Sequence, residues 1–152
     1  MDLIEEYLAG PRRLREAVAG MTDEQLDAQP VPGKMSTRQV VCHIADFEPI
    51  YADRIKWVLA EDNPLLPGGD PDRFAARLAY DQRDVAEELQ LIELVRSQLA
   101  RILRATPPAA FQRTGQHTSD GPISAETLLQ RIISHIPHHV QFIEEKRKAL
   151  GI

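Results

Sequence analysis

The chain has 152 residues, with 18 lysines and arginines against 23 aspartates and glutamates, and a formal net charge of −5 at pH 7. This length fits one domain with a substantial core, so we interpret residues 1–152 as a single domain. The acidic balance argues against a nucleic-acid partner, because binding to phosphates needs a surplus of basic side chains.

Four apolar stretches with helical spacing divide the chain, and segments rich in proline and glycine separate them. The predicted elements, in chain order, are a helix over 2–19, a short helix over 22–30, a long helix over 36–60, a loop over 61–72 that could close over a site, a helical region over 71–105 broken near residue 80, an irregular segment over 106–122 and a final helix over 124–150. No strand-like alternation is present. The sequence therefore predicts an all-α four-helix bundle with short extra helices in its connections.

Histidines cluster near the end of the chain, at His135, His138 and His139. Residues three or four apart share a helix face, so spacing alone leaves the pair open. At about 100° per residue, His139 lies about 55° from the centre of the apolar stripe and His135 about 95° away on the same side. His138 lies about 155° away. We therefore expect His135 and His139 to border the buried face and His138 to point to solvent.

The helix predicted over 36–60 repeats this pattern, since His43 lies about 95° from the centre of its own apolar stripe. A third imidazole from this helix would complete a three-histidine site with open positions, which is typical of catalytic metal centres. The alternative is a histidine that packs and bonds to a backbone carbonyl. His117, in the irregular polar segment, is expected to be exposed.

Cys42 and Asp46 both lie more than about 150° from the apolar stripe of the same helix. Cys42 next to His43 is the arrangement of a nucleophile pair, but sequence neighbours diverge by about 100° on a helix, so an inert or partly buried thiol is predicted at Cys42. The same angle predicts a solvent-facing carboxylate at Asp46, with orientation of His43 from behind as the alternative. A general base is unassigned, and Asp46 and Glu48 are the candidates.

Two segments resemble the signature of the DinB-like superfamily. PGKMSTRQVVCHIAD at 32–46 resembles PGKWS-x-RQV-x-x-H-x-x-D, and HIPHHVQFI at 135–143 resembles the closing H-x-x-H-H-x-x-x-I helix. The chain is similar to the YfiT-like branch, which also carries the Glu-Asp-Asn-Pro run found at 61–64. Met35 stands where the signature has tryptophan, so a pocket wall formed by that ring in relatives is altered here.

The resemblance implies a four-helix bundle, often dimeric, in which His43, His135 and His139 hold a divalent metal, with zinc or nickel expected. It implies an enzyme that transfers a low-molecular-weight thiol to a small-molecule electrophile. One alternative is a hydrolase that uses metal-activated water. Another is a non-enzymatic binding or dimerisation module whose metal is structural or lost.

The remaining features predict a cytoplasmic protein without a membrane partner. No apolar run approaches the roughly 20 residues that a membrane span needs. The acidic start MDLIEEYLAG does not resemble a signal peptide. With one cysteine, an intrachain disulfide is excluded.

Overall fold

The computed structural model describes residues 2–152 and consists mainly of helices, as the sequence predicts. The α-helices are α1 (Leu3–Val18), α2 (Asp23–Asp27), α3 (Thr37–Ala60), α4 (Pro71–Arg77), α5 (Val85–Arg104) and α6 (Ala125–Leu150), and short 3₁₀ turns lie at Tyr80–Gln82 and Pro108–Gln112. The predicted break near residue 80 is confirmed, because α4 and α5 are separated by the first of these turns.

The four long helices form a bundle with a diagonal arrangement. Helix α1 packs mainly on α5 and α6, and α3 packs on the same two helices. Therefore α1 and α3, although consecutive long helices in the chain, occupy opposite corners. In the part of the chain that is described, no helix has both the length and the apolar character that a membrane span requires.

The start of α3 is fixed by local sequence. Gly33 has a φ of +74°, a conformation that favours glycine, and turns the chain into the helix. Ser36 accepts a hydrogen bond from the backbone N–H of Gln39, and the Gln39 side chain accepts one from the backbone N–H of Ser36. This reciprocal capping box sets the first turn, and hence the rotation at which His43 leaves the helix.

A small three-stranded sheet is the feature that the sequence analysis missed. Strand β1 (Leu65–Leu66) pairs in parallel with β2 (Thr114–His117), and β2 pairs antiparallel with β3 (Gly121–Ser124). Strands of two to four residues are too short to show a readable alternation. The sheet ties the predicted loop over 61–72 to the segment that precedes α6.

One guanidinium in the core connects all four long helices. Pro11 lies inside α1 and has no N–H, so the carbonyl of Tyr7 has no helical partner. Arg96 of α5 donates from Nη1 to that carbonyl at 2.6 Å and from Nη2 to the carbonyl of Ile132 in α6 at 2.8 Å. It also donates from Nε to Oε2 of Glu48 in α3 at 2.9 Å, and both side chains are fully buried. Glu48, a candidate base from the sequence, is therefore committed to an ion pair in the core.

Candidate metal centre

Three histidines converge between α3 and α6. One donor atom each from His43, His135 and His139 lies within 4.8 Å of the other two. Nε2 of His43 and Nε2 of His135 are 3.0 Å apart. His135 and His139 sit one turn apart on α6, whereas His138 is exposed, as predicted. The structure thus brings together the three histidines that the sequence analysis selected.

Burial keeps these imidazoles uncharged. It lowers the pKa of His43, and it lowers the pKa of His135 to about 2 and that of His139 to about 4. The neighbouring histidines lower the pKa values of His135 and His139 further, because like charges would face one another. All three rings are neutral near pH 7, which is the form that binds a metal ion.

The cluster also contains polar atoms that the protein does not satisfy. Nδ1 of His43 and Nδ1 of His135 are both buried without a hydrogen-bond partner among residues 2–152. Two Nε2 atoms face each other at 3.0 Å, so at most one of them donates to the other. Three neutral imidazole donors in this spacing fit a divalent metal ion, and three protein ligands leave a position open for a substrate. The residues present therefore fit the group that the sequence resemblance implies.

The cluster opens onto a cavity of about 540 Å³, which we call the histidine pocket. His43, His135 and Phe47 form one side. The rest of the lining comes from α3, the loop between β1 and α4, and the β2–β3 turn; its residues are Tyr51, Arg54, Gly68, Gly69, Asp70, Pro71, His117, Thr118, Ser119 and Asp120. The predicted loop thus lies beside the candidate centre, as a closing segment would.

His117 contradicts its predicted exposure. Its side chain is 9% exposed and lines the histidine pocket. Nδ1 accepts hydrogen bonds from the backbone N–H groups of Ser119 at 3.1 Å and Asp120 at 3.2 Å. A neutral ring with Nδ1 as acceptor carries its proton on Nε2. The small sheet, which the sequence did not predict, is what turns this histidine inward.

Cys42 and Asp46 lie on a face of α3 that the rest of the chain covers. Cys42 is fully buried, with its Sγ 3.5 Å from the carbonyl of Tyr80, and burial raises the pKa of its thiol to about 11. The prediction of an inert thiol agrees with this environment. Asp46 accepts a hydrogen bond from Nη2 of Arg83 at 2.8 Å and is only 14% exposed, so the prediction of a solvent-facing carboxylate is wrong. Residues distant in the chain cover this face of α3, so the periodicity of one helix does not predict its exposure.

Several residues of the motif at 32–46 position the helix that carries His43. The guanidinium of Arg38 donates to Asp27 at 2.6 Å and to Asp23 at 3.2 Å, which docks α2 onto α3. It also donates to the backbone carbonyl of Arg83 at 2.9 Å. Met35, which replaces the signature tryptophan, packs half-buried against the core. These residues orient the helix, while His43 alone of them lines the histidine pocket.

Fold and site together define a four-helix-bundle protein with a three-histidine candidate metal centre. The family profile described as the DinB superfamily matches residues 6–143, and the chain belongs to that superfamily. A protein of Oceanobacillus iheyensis named "Putative metal-dependent hydrolase OB0782" is 31% identical over 140 residues, which cover 91% of this chain and 81% of the relative. "Putative metal-dependent hydrolase YfiT" of Bacillus subtilis is 29% identical over 142 residues, which cover 93% of this chain and 80% of the relative.

Solved structures agree with this membership. The structure of YfiT from Bacillus subtilis, whose fold is described as an unusual four-helix bundle topology, superposes with a TM-score of 0.91 at 28% identity, covering 98% of this chain and 86% of that one. A mycothiol-dependent maleylpyruvate isomerase matches with a TM-score of 0.69 at 14% identity, covering 92% of this chain and 60% of that one. The second likeness concerns the fold alone. The predicted fold and family are confirmed.

Proposed function

We propose that this protein is a divalent-metal enzyme that transfers a low-molecular-weight thiol to a small-molecule electrophile. The observation that carries the proposal is the convergence of neutral His43, His135 and His139, of which His43 and His135 line a polar pocket. Nε2 of His43 faces Nε2 of His135 at 3.0 Å, and because at most one of them can donate to the other, a metal ion that accepts both lone pairs suits this arrangement. The three histidines hold the ion in this proposal, with zinc or nickel as the expected metal.

A divalent ion bound there would lower the pKa of a thiol, so that thiolate is available near neutral pH. The chain's own residues position and shield the reactants. His117 offers its Nε2–H as a hydrogen-bond donor to the substrate, because its Nδ1 is already occupied by two backbone N–H groups. Phe47 packs against His43 with ring centroids 5.0 Å apart and excludes water from that side of the cluster.

The proposed reaction is a substitution. The sulfur atom of the thiol forms a bond to the electrophilic carbon with its own electron pair. The bond from that carbon to the leaving group breaks, and the leaving group departs with the bonding pair. The proton lost by the thiol ends on the leaving group or in solvent, so the reaction needs no external oxidant or reductant.

A metal-dependent hydrolase is the second candidate, and the names of the relatives from Oceanobacillus iheyensis and Bacillus subtilis favour it. Water activation commonly uses a nearby general base. The two carboxylates of the histidine pocket are both engaged. Asp120 pairs with Arg131 at 2.6 Å, and Asp70 accepts backbone N–H groups at the start of α4. A thiol bound to a metal ion depends less on such a base, which supports thiol transfer as the first candidate.

One assay separates these functions. Metal-loaded protein is incubated with 1-chloro-2,4-dinitrobenzene or 4-nitrophenyl acetate, with and without cysteine, coenzyme A, bacillithiol or mycothiol. Consumption that exceeds the uncatalysed rate only when a thiol is present supports the transferase. Turnover of the ester without any thiol supports the hydrolase and contradicts the first proposal. Metal-loaded protein with no turnover in any combination would contradict both and favour a binding module.

A further inference from the structure

Arg54 of α3 is a buried cation without an ion-pair partner. The residue is 6% exposed. Its Nη2 donates to the carbonyl of Pro67 at 2.8 Å, and its Cζ lies 5.0 Å from the centre of the Tyr51 ring. Its Nε is buried and has no hydrogen-bond partner, and among residues 2–152 no carboxylate oxygen lies within 4.0 Å of the guanidinium. A buried charge of this kind is costly unless an opposite charge joins it.

Three other buried or half-buried arginines have such partners. Arg96 pairs with Glu48, Arg83 pairs with Asp46 and Glu88, and Arg38 pairs with Asp23 and Asp27; these pairs are all intramolecular. Arg38 and Arg96, which are about as deeply buried as Arg54, therefore both have carboxylate partners, whereas half-buried Arg147 bonds to the backbone carbonyls of Ala17 and Ala19. Arg54 departs from this pattern.

Its position suggests the reason. Arg54 lies in the wall of the histidine pocket and also in the wall of a second cavity of about 640 Å³. We call this second cavity the apolar groove; it is lined in part by Ile50, Trp57, Leu65 and Phe74. Trp57 is 50% and Leu65 is 72% exposed, so large apolar side chains face solvent beside an unpaired cation. The two cavities share Arg54, Gly68 and Gly69.

The two carboxylates of the histidine pocket are already engaged by other groups. Asp120 is bound to Arg131 at 2.6 Å, and Asp70 lies 3.4 Å from Arg73 while it caps α4. Three exposed carboxylates, Asp53, Glu61 and Asp62, also line the apolar groove, and Asp62 pairs with Arg113 at 3.1 Å. The boundary between the two cavities thus keeps an unneutralised positive charge at Arg54.

We propose that Arg54 binds the carboxylate of an apolar substrate, whose hydrophobic part lies in the apolar groove and whose reacting end reaches the histidine pocket. The inference deepens the proposed function by naming its substrate class and rests on that function for the chemistry at the histidines. A guanidinium suits this task because its parallel N–H groups match the two oxygens of a carboxylate.

The test compares two probes that differ in charge, 4-phenylbutyrate and 4-phenylbutan-1-ol. Trp57 is the single tryptophan and lies in the apolar groove, so its fluorescence reports occupancy there. We expect the wild-type protein to bind the carboxylate about tenfold or more tightly than the alcohol, as a charge-assisted hydrogen bond provides. Equal affinity for the two probes would overturn the proposal.

Variants locate the effect. Arg54→Gln should abolish the preference for the carboxylate while affinity for the alcohol is kept. Arg54→Met, which fills the buried site with an apolar chain, serves if the glutamine variant does not fold. Lys56→Gln removes the same charge from the same helix, where Lys56 bonds to Gln98 on α5 at 2.6 Å, and should keep the preference. Leu65→Ser should weaken both probes alike. A preference that survives in folded Arg54→Gln or Arg54→Met would contradict the proposal.

The His139→Ala variant separates this inference from the proposed function. If Arg54 binds the anion, the preference persists in His139→Ala and in wild-type protein treated with a chelator. A preference that disappears in those two samples would show that a metal ion, not Arg54, binds the carboxylate, and would overturn the proposal. Absence of metal from wild-type protein, together with an intact preference that depends on Arg54, would instead refute the proposed function and support the anion site.

Discussion

Two polar clusters join α3 to α6, and they differ in how far the protein itself satisfies their buried polar groups. In the core, Arg96 and Glu48 are fully buried, and the guanidinium bonds to the carboxylate and to two backbone carbonyls. At the histidine pocket, Nε2 of His43 faces Nε2 of His135 at 3.0 Å, and at most one of the two nitrogens donates to the other. The first cluster is hydrogen-bonded within the protein, whereas the second presents converging imidazole nitrogens beside a cavity.

The difference distinguishes polar groups that are buried to stabilise the fold from polar groups that are buried to bind a ligand. A charged group that is satisfied on every side stabilises a particular packing and offers nothing to a substrate. Polar atoms left unsatisfied next to a cavity indicate a bound partner, since the desolvation cost is otherwise uncompensated. By this criterion we assign a ligand-binding role to the histidine cluster and Arg54, and a stabilising role to Arg96.

Loss of Arg96 should have the largest effect on stability. Arg96→Met leaves the Glu48 carboxylate buried and unpaired, so we expect the free energy of unfolding to fall by about 3–5 kcal/mol. Urea denaturation measures this change. The double variant Arg96→Met/Glu48→Leu removes both charges and should recover most of the loss. A single variant that loses less than about 1 kcal/mol would contradict the structural role of this cluster.

Metal binding at the histidine cluster should raise the free energy of unfolding of the protein by somewhat less than the loss expected for Arg96→Met. A ligand present at 100 times its dissociation constant adds about 2.7 kcal/mol to the free energy of unfolding. Thermal unfolding with added zinc or nickel should therefore shift upward in the wild-type protein and return when a chelator is added. His139→Ala should show no shift, and an equal shift in both proteins would place the metal elsewhere.

Gly10 tests how tightly the core cluster is packed. A Cβ at this position of α1 would lie 2.3 Å from Nη1 and 3.0 Å from Cζ of Arg96. Because Arg96 is held by carbonyls and by Glu48, it cannot move aside, and Gly10→Ala should cost about 1–3 kcal/mol. In an open helix the same change would stabilise by up to about 1 kcal/mol. In an Arg96→Met background the cost should shrink, and urea denaturation of both variants gives the sign.

Removal of the Cys42 thiol should have the smallest effect on stability and metal binding. It is buried away from the histidine pocket, against the carbonyl of Tyr80. Cys42→Ala should lower the free energy of unfolding by about 1 kcal/mol and leave metal affinity unchanged. Denaturation and metal titration check the two statements. A fall in metal affinity would mean that the neighbour of His43 takes part in the site.

The sequence predicted the parts of the site that depend on one helix at a time. Helical periodicity placed His43, His135 and His139 at the edges of buried faces, and the structure brings them together. The exposure predicted for His117 was wrong, because strands of two to four residues show no readable alternation in the sequence. The exposure predicted for Asp46 was wrong because Arg83, which covers it, is 37 residues away in the chain. The homodimer and the cytoplasmic location stay predictions.

Arg54 and Arg96 show a second limit. Both are arginines on long helices, and local sequence does not tell them apart. Only the fold reveals that Arg96 meets Glu48 across the core, at a separation of 48 residues, while Arg54 has no carboxylate within 4.0 Å in the described part of the chain. Pro11 carried a partial signal, since a proline inside a helix frees a carbonyl, but its acceptor role toward Arg96 depends on a distant helix.

The most direct test of the account is the metal content of protein purified without a histidine tag or chelators. We expect about one zinc or nickel ion per chain in the wild type and in His138→Ala, whose side chain is exposed. His139→Ala should retain almost none. A wild-type protein that neither carries nor rebinds metal, or equal losses in the two variants, would contradict the assignment of His43, His135 and His139 as a metal centre.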